Sequence, residues 1–235
     1  MTPQARPRLG EARLSLFLVT LAIYLFVLLP VTEAASWQGH ALNAGFLVVL
    51  FAGAFTGTGL RRLRFVAAGL AVTGMLGTWI FSRGKGGEPL ALGLSCTLLF
   101  LILTTLSLIR QVFAPGRVTH HRLRGAVAVF LLIGVVWAVA YGLVAVLIPG
   151  NSIDSGGATT AGGTRQLFPD QIYFSFVTLT TLGYGDLSPR GAVMRSLAVT
   201  EAILGQFYLA ILVARLVSLE LLHRQGRGGE PGQLS

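Results

Sequence analysis

The chain has 235 residues, of which 53% are hydrophobic and only 11% charged. A soluble domain carries about 25% charged residues, so the composition excludes an ordinary soluble protein and points to an integral membrane one. The net charge of +9 would suit nucleic acid, but the basic residues fall between apolar stretches, which makes them topological signals and leaves no nucleic-acid partner expected.

Six apolar stretches approach the roughly 17–25 residues that cross a bilayer: 14–31, 41–60, 65–81, 90–109, 125–148 and 192–219. The first has basic residues before it and small ones at Ala34, Ala35 and Ser36, as a signal peptide would. Its apolar run is longer than the 7–15 residues or so of a signal core, so it reads as a retained span. Gly53 and Gly57 form a GxxxG spacing, and Ala67, Ala71 and Gly74 add small residues in the third stretch, which suits close helix packing. The single cysteine, Cys96, sits inside the fourth stretch and reads as a buried hydrophobe. That fourth stretch, 90–109, contains no charged residue.

Residues 110–124 read as a cytoplasmic linker broken by Pro115 and Gly116, with arginines that would meet anionic lipid headgroups. His120 and His121 read as a solvated pair within it. Beyond the fifth stretch, 149–167 is rich in Gly, Ser and Thr and has no apolar period, so a loop is expected. Pro169 and Asp170 then signal a helix start. The segment 169–180 is too short to span, and reads as a re-entrant helix ending inside the membrane.

With the N-terminus inside, thirteen of the eighteen lysines and arginines fall on the cytoplasmic side, among them Arg61, Arg62, Arg110, Arg122 and Arg215. The positive-inside rule therefore places both termini in the cytoplasm. The abundance of Arg, Ala and Gly beside a single Lys suggests a prokaryotic cell membrane.

Thr180-Thr181-Leu182-Gly183-Tyr184-Gly185-Asp186 follows the short helix. Gly183 and Gly185 can take the positive φ that lets successive carbonyls point the same way. The stretch from Tyr173 to Pro189 resembles the pore signature of potassium channels. The resemblance covers about 125–219 and implies a set of roles. The backbone carbonyls of Thr181, Leu182, Gly183 and Tyr184, with the Thr181 hydroxyl, would coordinate potassium, the permeant ligand. Gly185, Asp186, Tyr173 and Thr180 would support this filter. Tyr184 would brace it against the aromatic residues Tyr173 and Phe174, and Tyr173 would hydrogen-bond Asp186. Val177 stands where some relatives pair a glutamate with that aspartate, so inactivation through such a pair is in doubt. Gly205 falls at the spacing of the family's hinge glycine and would serve bending or packing. Gln206 would face the cavity, continued by Leu209, Val213 and Val217.

Glu201 is the one acid deep in a predicted span, and an intramembrane carboxylate is a functional candidate. It lies about 140° around a helix from Gln206, which favours a protein-facing, hydrogen-bonded placement over one in the ion path.

The expected fold is an all-α membrane protein with six transmembrane helices, a re-entrant pore helix and a selectivity filter. Its parts would be a four-helix domain at 1–109, a linker at 110–124, a pore domain at 125–219 and a tail at 220–235. Within the pore domain the outer helix would be 125–148, the pore helix 169–180, the filter 181–186 and the inner helix 192–219. The resemblance implies a homotetramer surrounded by membrane lipids, passing potassium passively, with no enzyme activity and no cofactor. A transporter's membrane subunit, a non-conducting subunit and a non-selective cation channel are the alternatives. The six-span layout is also that of voltage-gated channels, but the uncharged fourth stretch cannot supply sensor work. The gating stimulus stays open.

Overall fold

The computed structural model describes residues 9–28, 69, 72–74, 76, 88–114, 120–154 and 167–228. In chain order these form helix α1 (Leu9–Ile23) with a π-helical turn (Tyr24–Leu28), α2 (Glu88–Val112), α3 (His120–Leu147), strand β1 (Ser152–Asp154), α4 (Leu167–Leu179), strand β2 (Ser188–Arg190) and α5 (Ala192–Gly228). Among the described residues, three helices contain stretches long and apolar enough to cross a membrane: Leu90–Val112, Arg122–Leu147 and Ala192–Ser218. The second expected span, with its GxxxG spacing, and most of the third lie outside the described residues.

Helix α3 is the centre of the packing. Its residues Val129, Leu132, Val135 and Ala138 are buried together with Phe17 and Leu21 of α1 and Phe100, Leu101 and Leu108 of α2. Small residues set how closely the neighbours approach, which matters where lipid tails compete equally for apolar contact. At Gly125, an added Cβ would lie 2.9 Å from Val112 and 3.3 Å from Leu14. At Gly134 it would lie 2.8 Å from the Phe176 ring of α4. Gly74 of the third stretch lies against Gly93 and Thr97 of α2 in the same way, in keeping with the packing expected of its small residues.

The linker between α2 and α3 is shorter than the sequence suggests. α2 continues through Gln111 and Val112, and Pro115 then disfavours helix at Ala114. Arg122 and Arg124 lie in the first turns of α3, which begins inside the expected linker. Arg122 donates to the Ala114 carbonyl at 2.7 Å, and Arg215 of α5 donates to the carbonyls of Phe113 (2.5 Å) and Ala114 (2.9 Å). Cations thus occupy the negative end of α2. The Arg215 guanidinium also lies 4.8 Å from the centre of the Phe113 ring.

Two further differences concern the ends of the pore region. α5 runs on to Gly228, nine residues past the expected limit, in keeping with the good helix formers Glu220, Leu221, Leu222, Arg224 and Gln225. The expected loop after α3 contains β1, which pairs antiparallel with β2 through Ile153 and Pro189. An Arg190–Asp154 ion pair closes this two-stranded ribbon. The ribbon brings Asn151 to the start of α5, where its side-chain oxygen accepts from the Met194 N–H at 3.2 Å. One of the otherwise unpaired N–H groups of that helix end is thereby satisfied.

Candidate functional site: a short helix and the glycine-rich stretch that follows it

Helix α4 has thirteen residues and packs against both α3 and α5. Its C-terminal end turns directly into the glycine-rich stretch. The Thr181 N–H donates to the Thr178 carbonyl at 3.0 Å, and the Leu182 N–H to the Val177 carbonyl at 2.9 Å. Thr181 itself has φ of 57°. This is a Schellman cap, with the left-handed position filled by threonine where glycine is usual. A β-branched residue there costs on the order of 1–3 kcal/mol, so the surroundings must enforce it.

The left-handed conformation recurs at every second residue, with φ of 58° at Gly183 and 81° at Gly185. Sequence reading anticipated the two glycines and missed Thr181, because a β-branched residue gives no local signal for that conformation. The consequence for the carbonyls follows from the N–H groups. Those of Leu182 and Gly183 both point to the Val177 carbonyl, at 2.9 and 3.3 Å. Each peptide is planar and trans, so the carbonyls of Thr181 and Leu182 in the same two peptides point away from α4. The Thr181 hydroxyl donates to the Thr180 carbonyl at 2.7 Å, and that of Thr180 to the Phe176 carbonyl at 2.6 Å.

Behind this stretch, Tyr173 donates to Asp186 at 2.7 Å, tying the second turn of α4 to the end of the stretch. On the single chain Tyr184 is 67% exposed and Leu182 55% exposed, so both turn outward from the packed helices. Phe174 turns instead to Tyr141 of α3, with ring centres 5.1 Å apart.

Gly205 of α5 is buried, and a Cβ there would meet both the carbonyl oxygen and a side-chain carbon of Leu179 at 2.7 Å. α5 continues unbroken through this residue, so the glycine serves the close approach of α4. Gln206, Leu209 and Val213 are exposed on the single chain, as is Val217 farther along. Glu201 is fully buried, on the protein-facing side. Its carboxyl oxygens meet the Tyr141 hydroxyl and the Ser175 hydroxyl, each at 2.5 Å. Neither Tyr141 nor Ser175 was singled out by sequence, since they are 60 and 26 residues away and carry no spacing signal.

Comparison with known proteins bears on this arrangement. Residues 129–220, from α3 to α5, match a family model described as an ion channel. Over this region the chain is similar to ion channels, among them proteins named as potassium channels. Protein LctB of Geobacillus stearothermophilus is 38% identical over 60 residues, 26% of this chain and 44% of that protein. Two-pore potassium channel 4 of Arabidopsis thaliana is 38% identical over 58 residues, 25% of this chain and 20% of the relative. Two pore potassium channel c of Oryza sativa subsp. japonica is 31% identical over 74 residues, covering 32% and 15%. The chain thus spans less than half the length of these relatives, and the similarity is confined to this region.

The Gly205 contact generates a prediction. Gly205→Ala would force a methyl group against the backbone of Leu179, which cannot rotate away. Thermal unfolding in detergent is expected to show a loss of about 1–3 kcal/mol, typical of overpacking. An unchanged melting curve would contradict the close approach.

Proposed function

We propose that four copies of this chain form a potassium-selective pore in the cell membrane, with both termini cytoplasmic. The observation that carries the reading is the alternation of left-handed residues at Thr181, Gly183 and Gly185, directly after a short helix cap. It is supported by the kinship of this region to potassium channels.

In this reading α4 is the pore helix, α3 the outer helix and α5 the inner helix. The carbonyls of Thr181, Leu182, Gly183 and Tyr184 replace the hydration shell of the ion. Gly185, Asp186, Tyr173 and Thr180 hold that strand in place. The C-terminal end of α4 directs its partial negative charge towards the permeant cation. Gln206, Leu209 and Val213 line the path below the filter. Conduction is passive, so no residue is catalytic and no cofactor takes part.

One chain supplies one strand, and a cage of carbonyls needs several. The spanning stretch of α5 is only 17% buried within a single chain, which suits a helix that packs against other copies. The remaining apolar stretches would complete a six-span subunit in contact with lipid.

Three outcomes are expected. Reversal potentials in mixed potassium and sodium gradients should follow potassium; values blind to the identity of the cation would overturn the selectivity. Native mass measurement should give a tetramer, and a monomer or dimer that still conducts selectively would be incompatible with a four-strand cage. Activation should lack steep voltage dependence. Moving one elementary charge through 100 mV yields about 2.3 kcal/mol, and residues 90–109 carry none to move. Several gating charges per channel in bilayer recordings would refute this.

A further inference from the structure

The buried contacts around Glu201 hold more information than their positions. Three oxygen–oxygen contacts form a chain. Tyr141 meets one carboxyl oxygen of Glu201 at 2.5 Å, the other carboxyl oxygen meets Ser175 at 2.5 Å, and Ser175 meets the Gly134 carbonyl at 2.7 Å. Each contact needs one proton. The carbonyl has none to give, so the single proton of Ser175 goes to Gly134. Tyr141 supplies the proton for its own contact. The contact between Glu201 and Ser175 then has a proton only if the carboxyl group carries it.

An ionised Glu201 would have to take the proton of Ser175, leaving two bare oxygens facing each other at 2.7 Å. It would also bury a full charge in a spanning helix against two neutral donors, where unpaired charge is expensive. A neutral carboxylic acid satisfies all three contacts: it donates to Ser175 and accepts from Tyr141. Among the described residues that hydrogen-bond Glu201, only Tyr141 is titratable. The charged residues and histidines on the packed helices stand at other levels along them: His120, His121, Arg122 and Arg124 on α3, Asp170 on α4, and Arg195, Arg215, Glu220, His223, Arg224 and Arg227 on α5. Asp170 and Arg195, five and six residues along their helices, are exposed.

We propose that Glu201 is a neutral proton donor that locks α4 to α3 and α5 and thereby positions the Thr181–Tyr184 strand. The role of the strand rests on the pore reading above; the proton on Glu201 does not. The geometry makes the lock rigid. Ser175 and Leu179 are four residues apart on α4, and their partners Glu201 and Gly205 are four apart on α5. Both pairs therefore lie on facing sides of their helices, one turn apart. The grip at Glu201 and the close contact at Gly205 together fix the last turn of α4, from which the strand begins.

The test uses the full chain reconstituted in lipid. Infrared absorption of wild type minus Glu201→Gln at neutral pH is expected to show the carbonyl stretch of one protonated carboxyl group. A difference spectrum with only carboxylate bands would overturn the proton assignment. For positioning, Glu201→Ala should lower the preference for potassium over sodium by about tenfold, as loss of an outer-shell support does. Glu201→Gln, which keeps the shape, one N–H donor and one acceptor, should rescue it. Ser175→Ala should reproduce the loss. Correctly assembled Glu201→Ala and Ser175→Ala variants with undiminished selectivity would overturn the positioning role. If Glu201→Ala does not assemble, Ser175→Ala and the infrared band decide. A wild-type chain that passes no ions would sink the pore reading, and the positioning role with it, while the infrared band would still decide the proton.

Discussion

The structure depends on how helix α4 ends. A helix that stops leaves its last carbonyls without partners inside the helix. Here the following residues turn back and satisfy them, with Thr181 in the left-handed conformation and the N–H groups of Leu182 and Gly183 directed at Val177. The same peptides that cap the helix turn their carbonyls outward. Helix termination and presentation of the carbonyls are thus one backbone arrangement. The strain at Thr181 is the local cost of that double use.

Such an arrangement needs a rigid support, and the buried polar groups supply it. Glu201, Tyr141 and Ser175 bind three helices together with hydrogen bonds that lipid cannot compete for. Tyr208 of α5 adds a bond of 2.7 Å to the Ala126 carbonyl of α3, and its ring stacks on Phe130 with centres 6.1 Å apart. Nearer the C-terminal end of α5, Arg215 joins that helix to the end of α2. Each bond connects α5 to an element far away in sequence, so the inner surface of that helix is held along much of its length. Its other surfaces remain open, with Phe207, Ile211 and Val213 exposed on the single chain.

Glycines serve two distinct purposes in this chain. At Gly183 and Gly185 the backbone demands positive φ, and a Cβ would find open space but strained dihedrals. At Gly134 and Gly205 the backbone is ordinary helix and the missing Cβ makes room for Phe176 and Leu179. The first purpose was legible in the motif. The second was not, since a glycine inside a helical pattern reads equally as a hinge or as a contact until the neighbour is known.

The sequence by itself determined the membrane class, the presence of the long apolar helices at 90–109, 125–148 and 192–219, the short helix near 169–180, and the potassium-channel kinship. These follow from apolar run length, helix-start residues and a contiguous motif, all of which are local. Tertiary structure decided what depends on residues distant in the chain. It set Glu201 between Tyr141 and Ser175, which makes a lone acid a shared hydrogen-bonding centre. It imposed the left-handed conformation on Thr181, against the preference of a β-branched side chain, because the cap of α4 requires it. It also paired Ser152–Asp154 with Ser188–Arg190 in a ribbon too short to leave an apolar alternation. A pattern along the chain records which side a residue prefers; only packing determines which partner waits there.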